Sequence, residues 1–336
     1  MTVGAGWKPG GELQAKASPH HSRRRTLLAR WTRAQLPLAQ SAQSADWAGA
    51  LRSRATNAIR VNGMRAPDAD LTIGPMKMAL SIAGSDPTGG AGLQADLQVF
   101  RSFGVHGAGV VTALTVQDRH KVHQVLPVFP SVVLDQLRVL LRDRVPDAVK
   151  IGMLASDDVL RSVLLGLSEL ASDVPIVVDP VLAASDGTPL LERRAWDGLR
   201  ELIGRSRLTT PNLPEAEALS ARDVSTREGC EQAGRSFVED LGAQAALVKG
   251  GHRPGDPADL LVLRQKSGVT LQWLEGESID AGPVRGTGCA LASAVAASLV
   301  DGGRLEQAIA EARGFVARAL RAAHGPAGAP RFLSYP

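Results

Sequence analysis

Tyrosine occurs once in this chain of 336 residues, cysteine twice, and Phe, Trp and Tyr together make up only 4%. With so few aromatics, a core drawn from 44% hydrophobic residues must be built of Leu, Val and Ala. The two cysteines, Cys230 and Cys289, lie too far apart in sequence to form a metal-ligand spacing or a disulfide framework. That usage points to a reducing, cytoplasmic compartment. No apolar run approaches the ~18 residues that a transmembrane helix needs. No segment repeats at a fixed period, so solenoids and propellers are excluded. No G-x-G-x-x-G stands in the dinucleotide-binding register, and no glycine loop ends in Gly-Lys-Ser/Thr, so the Walker loop is also missing.

Charge is unevenly spread. Residues 1–75 hold eleven Lys/Arg against four Asp/Glu and three of the five Trp, whereas 76–336 hold 27 basic and 30 acidic residues. The net +4 therefore belongs to the extension and gives the rest of the chain no case for nucleic-acid binding. Pro and Gly break hydrophobic periodicity in 1–75, and no secretory h-region is present. We expect 1–75 to be a disordered tail, or upstream reading frame with translation starting at Met76 or Met78, rather than a targeting segment. Residues 76–336 read as one domain.

From Ala79 the pattern alternates strand and helix. Expected strands are 79–83, 107–117, 148–153, 175–181, a strand end at 208–212, and 245–252 as a strand running into a glycine turn. Expected helices are 93–103, 131–142, 157–170 with Ser156 as N-cap, 213–219, 229–241, 289–300 and 305–323. Leu260–Leu263 and Val269–Trp273 read as an antiparallel pair. Apolar strands separated by helices imply an α/β fold with a mostly parallel central sheet.

The stretch Val284-Arg285-Gly286-Thr287-Gly288-Cys289 organises the functional reading. A glycine turn opening a helix aims several unpaired N–H groups at one point, where the helix dipole adds positive charge. This reads as an anion site, with phosphate its usual occupant, or else as a plain glycine-rich loop before a buried helix. Cys289, in the first turn, is expected to have a lowered thiol pKa. In open parallel sheets the ligand crevice lies at the carboxyl ends of the strands. Gly84-Ser85-Asp86, Gln117, Met153, Asp179, Asn212 with Glu215, and Lys249 all fall there. Plainer readings stand beside these: Gln117 as a loop amide, Asp179-Pro180 as a turn, Glu215 as a helix-start acid, Lys249 as a strand-end lysine, and Asp96 as a solvated helix acid.

Gly84-Ser85-Asp86-Pro87-Thr88-Gly89-Gly90-Ala91-Gly92-Leu93-Gln94-Ala95-Asp96, Lys150-Ile151-Gly152-Met153-Leu154, Val178-Asp179-Pro180-Val181, Thr210-Pro211-Asn212-Leu213-Pro214-Glu215, Val248-Lys249-Gly250-Gly251-His252 and Gly286-Thr287-Gly288-Cys289 follow in this order. Together they resemble the hydroxymethylpyrimidine/phosphomethylpyrimidine kinases of thiamine biosynthesis, in the ribokinase-like superfamily. The resemblance spans about 78–325 and leaves 1–75 without a counterpart. It implies a three-layer α/β/α sandwich and ATP-dependent phosphorylation of 4-amino-5-hydroxymethyl-2-methylpyrimidine and then of its monophosphate. Asp96 and Gln117 would hold the pyrimidine edge, with Gly84, Met153 and Val181 lining the pocket. Asn212 and Glu215 would organise Mg²⁺ and phosphate, Glu215 indirectly, while Asp179 and Lys249 would serve the nucleotide phosphates. Gly286, Thr287 and Gly288 would form the anion hole, and Cys289 would be the proton acceptor. A homodimer is expected by analogy, with no nucleic-acid or membrane partner.

Some positions depart from the resembled pattern. Asp118-Arg119-His120-Lys121 replaces the usual continuation after Gln117, Ala184-Ser185-Asp186-Gly187 lacks a lysine, and Arg285 stands where His is frequent. These bear most on the second phosphorylation, and Arg119, Lys121 or Arg285 could supply the missing charge. A pyridoxine/pyridoxal kinase is the nearest rival. A non-catalytic pyrimidine-binding sensor is a rival of another class. An acyl-transfer role for Cys289 finds only His252 as a partner in sequence.

Overall fold

Alternation along the buried strands divides the core into two halves. In strand β5 (Ile176–Val178), Ile176 and Val178 join one hydrophobic cluster and Val177 the other. In β7 (Ala245–Val248), Ala246 and Val248 face one side while Ala245 and Leu247 face the other. Successive side chains on a strand point to opposite faces, so a sheet buried on both sides must feed two cores.

The fold comes from a computed structural model that describes residues 76–251, 257–277, 279–326 and 328–335. The extension 1–75 and His252 lie outside the described residues. The other strands of the main sheet are β1 (Met78–Ser85), β2 (His106–Gln117), β3 (Val122–Pro127), β4 (Ala148–Ile151), β6 (Leu208–Thr209), β8 (Asp259–Gln265) and β9 (Gly268–Leu274). Its nine strands run in the order β3-β2-β1-β4-β5-β6-β7-β8-β9. The six central strands from β2 to β7 are parallel; β3 and β8 are antiparallel to their inner neighbours, and β9 to β8.

One face is covered by α2 (Pro130–Asp143), α3 (Asp157–Leu167), α4 (Trp196–Gly204), α5 (Leu213–Ser220) and α6 (Arg227–Glu239). The other carries α1 (Gly92–Ser102), α7 (Thr287–Leu299) and α8 (Leu305–Arg321). This is the expected three-layer α/β/α sandwich. Ser156 caps α3 by accepting from the Val159 N–H, as its sequence position implies. Helix α7 contributes Ala290, Ala292, Ala294, Ala296 and Ala297 to its core, and small side chains let a helix lie close to the sheet. Phe100 on α1 is fully buried in the same cluster, a contribution of about 1.5–3 kcal/mol.

Several elements escaped the sequence reading. The β3 strand lies at an edge and alternates weakly, with Val122 its one buried residue. Helix α4 was hidden in a charged stretch, although Leu199, Leu202 and Ile203 are its buried stripe. A second, two-stranded sheet pairs β10 (Val284–Arg285) in parallel with β11 (Arg331–Phe332). Two-residue strands have no periodicity to read.

Candidate active site

The glycine turn after β1 is built first. Asp86 is buried and accepts from the Thr88 N–H and Oγ1 at 2.8 Å and the Ala91 N–H at 2.9 Å. Gln94 on α1 ties the same turn down, accepting from the Asp86 N–H and donating to Ser85 Oγ. Gly84 stands where the β1–β2 register slips, and a Cβ on it would meet Met153 Sδ at 2.8 Å. Thus Gly84 and Met153 adjoin. Val181 lies half-buried just beyond β5.

The second glycine turn meets the first. Gly286 has φ 81°, a left-handed conformation that a side chain disfavours, and a Cβ there would stand 2.0 Å from the Gly90 carbonyl oxygen. It is the N-cap of α7 and brings no capping side chain. The first N–H that bonds inside this helix is that of Ala290, to Gly286 O. The amides of Thr287, Gly288 and Cys289 are the orphan donors that every helix start leaves, and they sit at the positive end of its dipole. The α7 helix starts two residues earlier than expected because Gly286, not Gly288, makes the cap.

Three further strand ends bring charge to this point. Lys249 Nζ donates to Asp179 Oδ1 at 2.9 Å, and Thr210 Oγ1 donates to the same oxygen at 3.1 Å. A Cβ on Gly288 would lie 3.1 Å from Lys249 Nζ and 3.6 Å from Asp179 Oδ2. Asn212 bridges to Lys249 as an extension of the parallel sheet. The Asn212–Glu215 pair proves to be a capping box: Asn212 Oδ1 accepts from the Glu215 N–H at 2.8 Å, and Glu215 Oε2 accepts from the Asn212 N–H at 2.9 Å. The same two residues start α5 and deliver a carboxylate to the site. Burial, reinforced by the Asp179 charge and opposed by Lys249, pushes Glu215 up to about 7. Lys249 stays protonated: burial works against its charge, but Asp179 and Glu215 more than offset that.

Mg²⁺ binds to one or two carboxylates and otherwise to phosphate oxygens and water. Asp179 and Glu215, two carboxylates around one ammonium, suit such a cation. Among the described residues no cluster of three or more His, Cys, Asp or Glu forms a cage made of protein alone. The donor set therefore fits an ion that arrives with a phosphate.

Two expectations need correction. Asp96 does not face a ligand. It is fully buried, and its oxygens are taken by Lys150 Nζ at 2.7 and 2.9 Å, Ser81 Oγ at 2.6 Å and Ser293 Oγ at 2.7 Å. Lys150 is also fully buried, and Asp96, then Cys289 and Asp179, raise its pKa against the cost of burial. A lysine inside an apolar strand was the available signal, since a buried charge needs a partner. Cys289 is the second correction. Burial pushes its thiol up to about 11, and Asp96 and Asp179 act in the same direction. Lys150 and the Gly92 N–H oppose them without prevailing. The balance of these groups leaves the thiol raised where a lowered one was expected.

At the far side, Gln117 ends β2, and its Oε1 accepts from Arg285 Nη2 at 2.9 Å. Arg285 is buried and also donates to the Asp118 carbonyl at 2.8 Å. The Arg119 guanidinium lies 5.2 Å from the centre of the Phe332 ring, and its Nη1 is buried without a hydrogen-bond partner among the described residues. That ring edge lies 2.5 Å from where a Cβ on Gly90 would stand. Phe332, Thr210 and Arg285's contact with Gln117 were not foreseen. They come from segments distant in sequence, and no local pattern announces them.

Residues 86–329 match the phosphomethylpyrimidine kinase family. A hydroxymethylpyrimidine/phosphomethylpyrimidine kinase of Staphylococcus aureus is 35% identical over 246 residues, 73% of this chain and 88% of that protein. The thiamine biosynthesis bifunctional protein ThiED of Geobacter sulfurreducens is 38% identical over 260 residues, 75% of this chain and 52% of that protein. Among solved structures, a phosphomethylpyrimidine kinase of Clostridium difficile aligns with TM-score 0.64 and 31% identity, covering 73% of this chain and 99% of that one. An ADP complex of a Bacillus subtilis pyridoxal kinase aligns with TM-score 0.68 and 31% identity, covering 78% and 98%. The order of motifs, the sheet and the relatives agree, and the chain belongs to the phosphomethylpyrimidine kinase family.

Proposed function

We propose that this kinase transfers the γ-phosphoryl group of ATP to the hydroxymethyl oxygen of 4-amino-5-hydroxymethyl-2-methylpyrimidine, then phosphorylates the resulting monophosphate, as a step towards thiamine diphosphate. The observation that carries this reading is the meeting of the orphan α7 amides with Lys249 and Asp179 around Gly288. Phosphoryl transfer asks chiefly for positioning and charge stabilisation of the moving group. In this reading the Thr287, Gly288 and Cys289 amides receive the γ-phosphoryl oxygens, and Lys249 neutralises their charge. Asp179, with Glu215 behind it, would hold Mg²⁺, which neutralises the nucleotide phosphates when bound. Gly84, Met153 and Val181 would line the ring pocket, and Gln117 would meet the ring edge.

Cys289 takes a changed role. A thiol with a pKa of about 11 remains protonated at neutral pH, so in this reading it hydrogen-bonds the acceptor oxygen and does not act as resting base. A loose transition state gives little leverage to a base in any case. For the second step, Arg285 is already engaged by Gln117 and Asp118, which leaves Lys121 and Arg119, and the unpartnered Nη1 favours Arg119. Arg119→Glu should depress the second phosphorylation selectively.

The test is an ADP-release assay with each pyrimidine as acceptor and pyridoxal in parallel, on the full chain and on a chain beginning at Met76. Turnover with the hydroxymethylpyrimidine and little with pyridoxal supports the reading, and preference for pyridoxal overturns it. Equal activity of the two chains would make 1–75 dispensable. We also propose a cytoplasmic homodimer. Leu114 and Val116 on β2 and Leu126 on β3 are 52%, 50% and 43% exposed, and the sheet register sets Leu114 opposite Leu126. Sedimentation of the wild-type chain beside Leu114→Lys reads this directly.

A further inference from the structure

Arg285 precedes the Gly286 turn and is only 9% exposed. Three neighbouring segments confine it. Its backbone pairs with β11 through the Arg285–Phe332 register, while Arg331 N–H donates to Pro283 O at 2.8 Å. Its Nη1 donates to Asp118 O at 2.8 Å, in the loop that follows β2. Asp186, from the turn after β5, is close enough to feel its charge. Burial opposes the Asp186 anion, but the Thr188 and Val122 N–H groups, with Arg285 adding to them, hold its pKa down. The remaining contact of this side chain is Nη2 to Gln117 Oε1 at 2.9 Å.

That contact settles a question an isolated glutamine leaves open. An amide can turn either its oxygen or its NH₂ towards a ligand. A guanidinium has five N–H donors and no acceptor, so only the amide oxygen can face it. The bond to Asp118 O holds the guanidinium on its other side, and the pairing with β11 holds the Arg285 backbone. Gln117 therefore keeps its oxygen on Arg285 and has its NH₂ left for a ligand. A histidine at position 285 could donate or accept depending on its tautomer and would not impose this choice.

We propose that Arg285 is a positioning residue that pins the Gln117 amide as a donor, so that the ring pocket selects a heterocycle presenting an acceptor there, such as an unprotonated ring nitrogen, over one presenting N–H. The proposal rests on the reading of Gln117 as a ring contact. A site that hydrogen-bonds one substrate group discriminates strongly against an analogue that leaves the buried partner unpaired.

The test is a double-mutant cycle on the full chain, with KM for the hydroxymethylpyrimidine, KM for ATP and kcat measured for each variant. Gln117→Ala should raise the pyrimidine KM about tenfold, the scale of one lost hydrogen bond in a site. Arg285→Gln, which frees the amide to flip, should raise it about fivefold, with ATP KM unchanged and kcat within about twofold. In the Gln117→Ala background, Arg285→Gln should have almost no further effect. Gln117→Glu should lose at least as much as Gln117→Ala, because a carboxylate paired with Arg285 has no proton to donate. Arg285→Lys keeps a donor-only group and should lose less than Arg285→Gln; Arg285→His, whose ring can accept as well as donate, replaces Arg285→Gln in the cycle if that variant does not fold. Additive effects in the cycle, or losses of kcat and ATP binding with the pyrimidine KM unmoved, overturn the pin. An unchanged pyrimidine KM in Gln117→Ala removes instead the ring-contact reading beneath it.

Discussion

The Asp96–Lys150 and Asp179–Lys249 pairs close at similar distances, 2.7 and 2.9 Å, in very different surroundings. Both side chains of the first are fully buried, and two serine hydroxyls occupy what Lys150 leaves of the carboxylate. In the second, Lys249 keeps 15% exposure and stands beside a glycine at a helix start. The pairing chemistry is the same in both, so it cannot distinguish a structural pair from a working one. What distinguishes them is whether the remaining lone pairs are already used. Asp96 has no capacity left for a ligand, whereas Asp179 directs Oδ2 towards Gly288.

Breaking the sealed pair should have the largest effect. Lys150→Met strands a buried carboxylate and should cost about 3–5 kcal/mol of stability in urea unfolding, with part recovered by adding Asp96→Asn. A change below about 1 kcal/mol would show that the pair is not structural. Breaking the open pair should act on rate: Lys249→Met should lower kcat about 10²–10³-fold while losing less stability than Lys150→Met. If its activity loss merely follows unfolding, the contrast fails.

Glu215 sharpens the contrast through pH. Its carboxyl is raised from 4.5 to about 7, so the folded state holds the proton more tightly than the unfolded state. The resulting stabilisation is complete below about pH 4.5 and is lost as pH rises to about 7. Urea midpoints of the wild-type chain should fall across that window, and Glu215→Gln should flatten the fall. Cys289 gives the smallest effect. Its alkylation rate by iodoacetamide should keep rising until pH approaches about 11. Cys289→Ser should retain most activity, whereas Cys289→Ala, lacking any hydrogen-bond partner for the acceptor oxygen, should lose several-fold. A plateau in alkylation near pH 7 would restore the activated thiolate.

The parts legible in the sequence were those built from neighbours. Gly286-Thr287-Gly288 announces a turn and a helix start together. Glu215 reads as an acid at a helix start because that too is local, although its capping box with Asn212 emerges only in the structure. The buried strands could be read because their apolar runs are continuous. Asp96 was misread because its partners, Ser81, Lys150 and Ser293, come from β1, β4 and α7, and only the folded sheet brings them together. The Cys289 pKa was misjudged for a related reason. The helix start is a local feature, but burial and the Asp179 and Asp96 charges that outweigh it are not. Arg285's hold on Gln117 depends on a two-residue strand pairing, below the length at which any pattern forms.

Gly286 lies so close to the Gly90 carbonyl that the two glycine loops are tied together. A side chain at 286 would collide with the turn that follows β1, so neither loop can drift alone. The two motifs, near opposite ends of the domain in sequence, form one mechanical unit, so a substitution that shifts the 86–92 turn also acts on the phosphate loop.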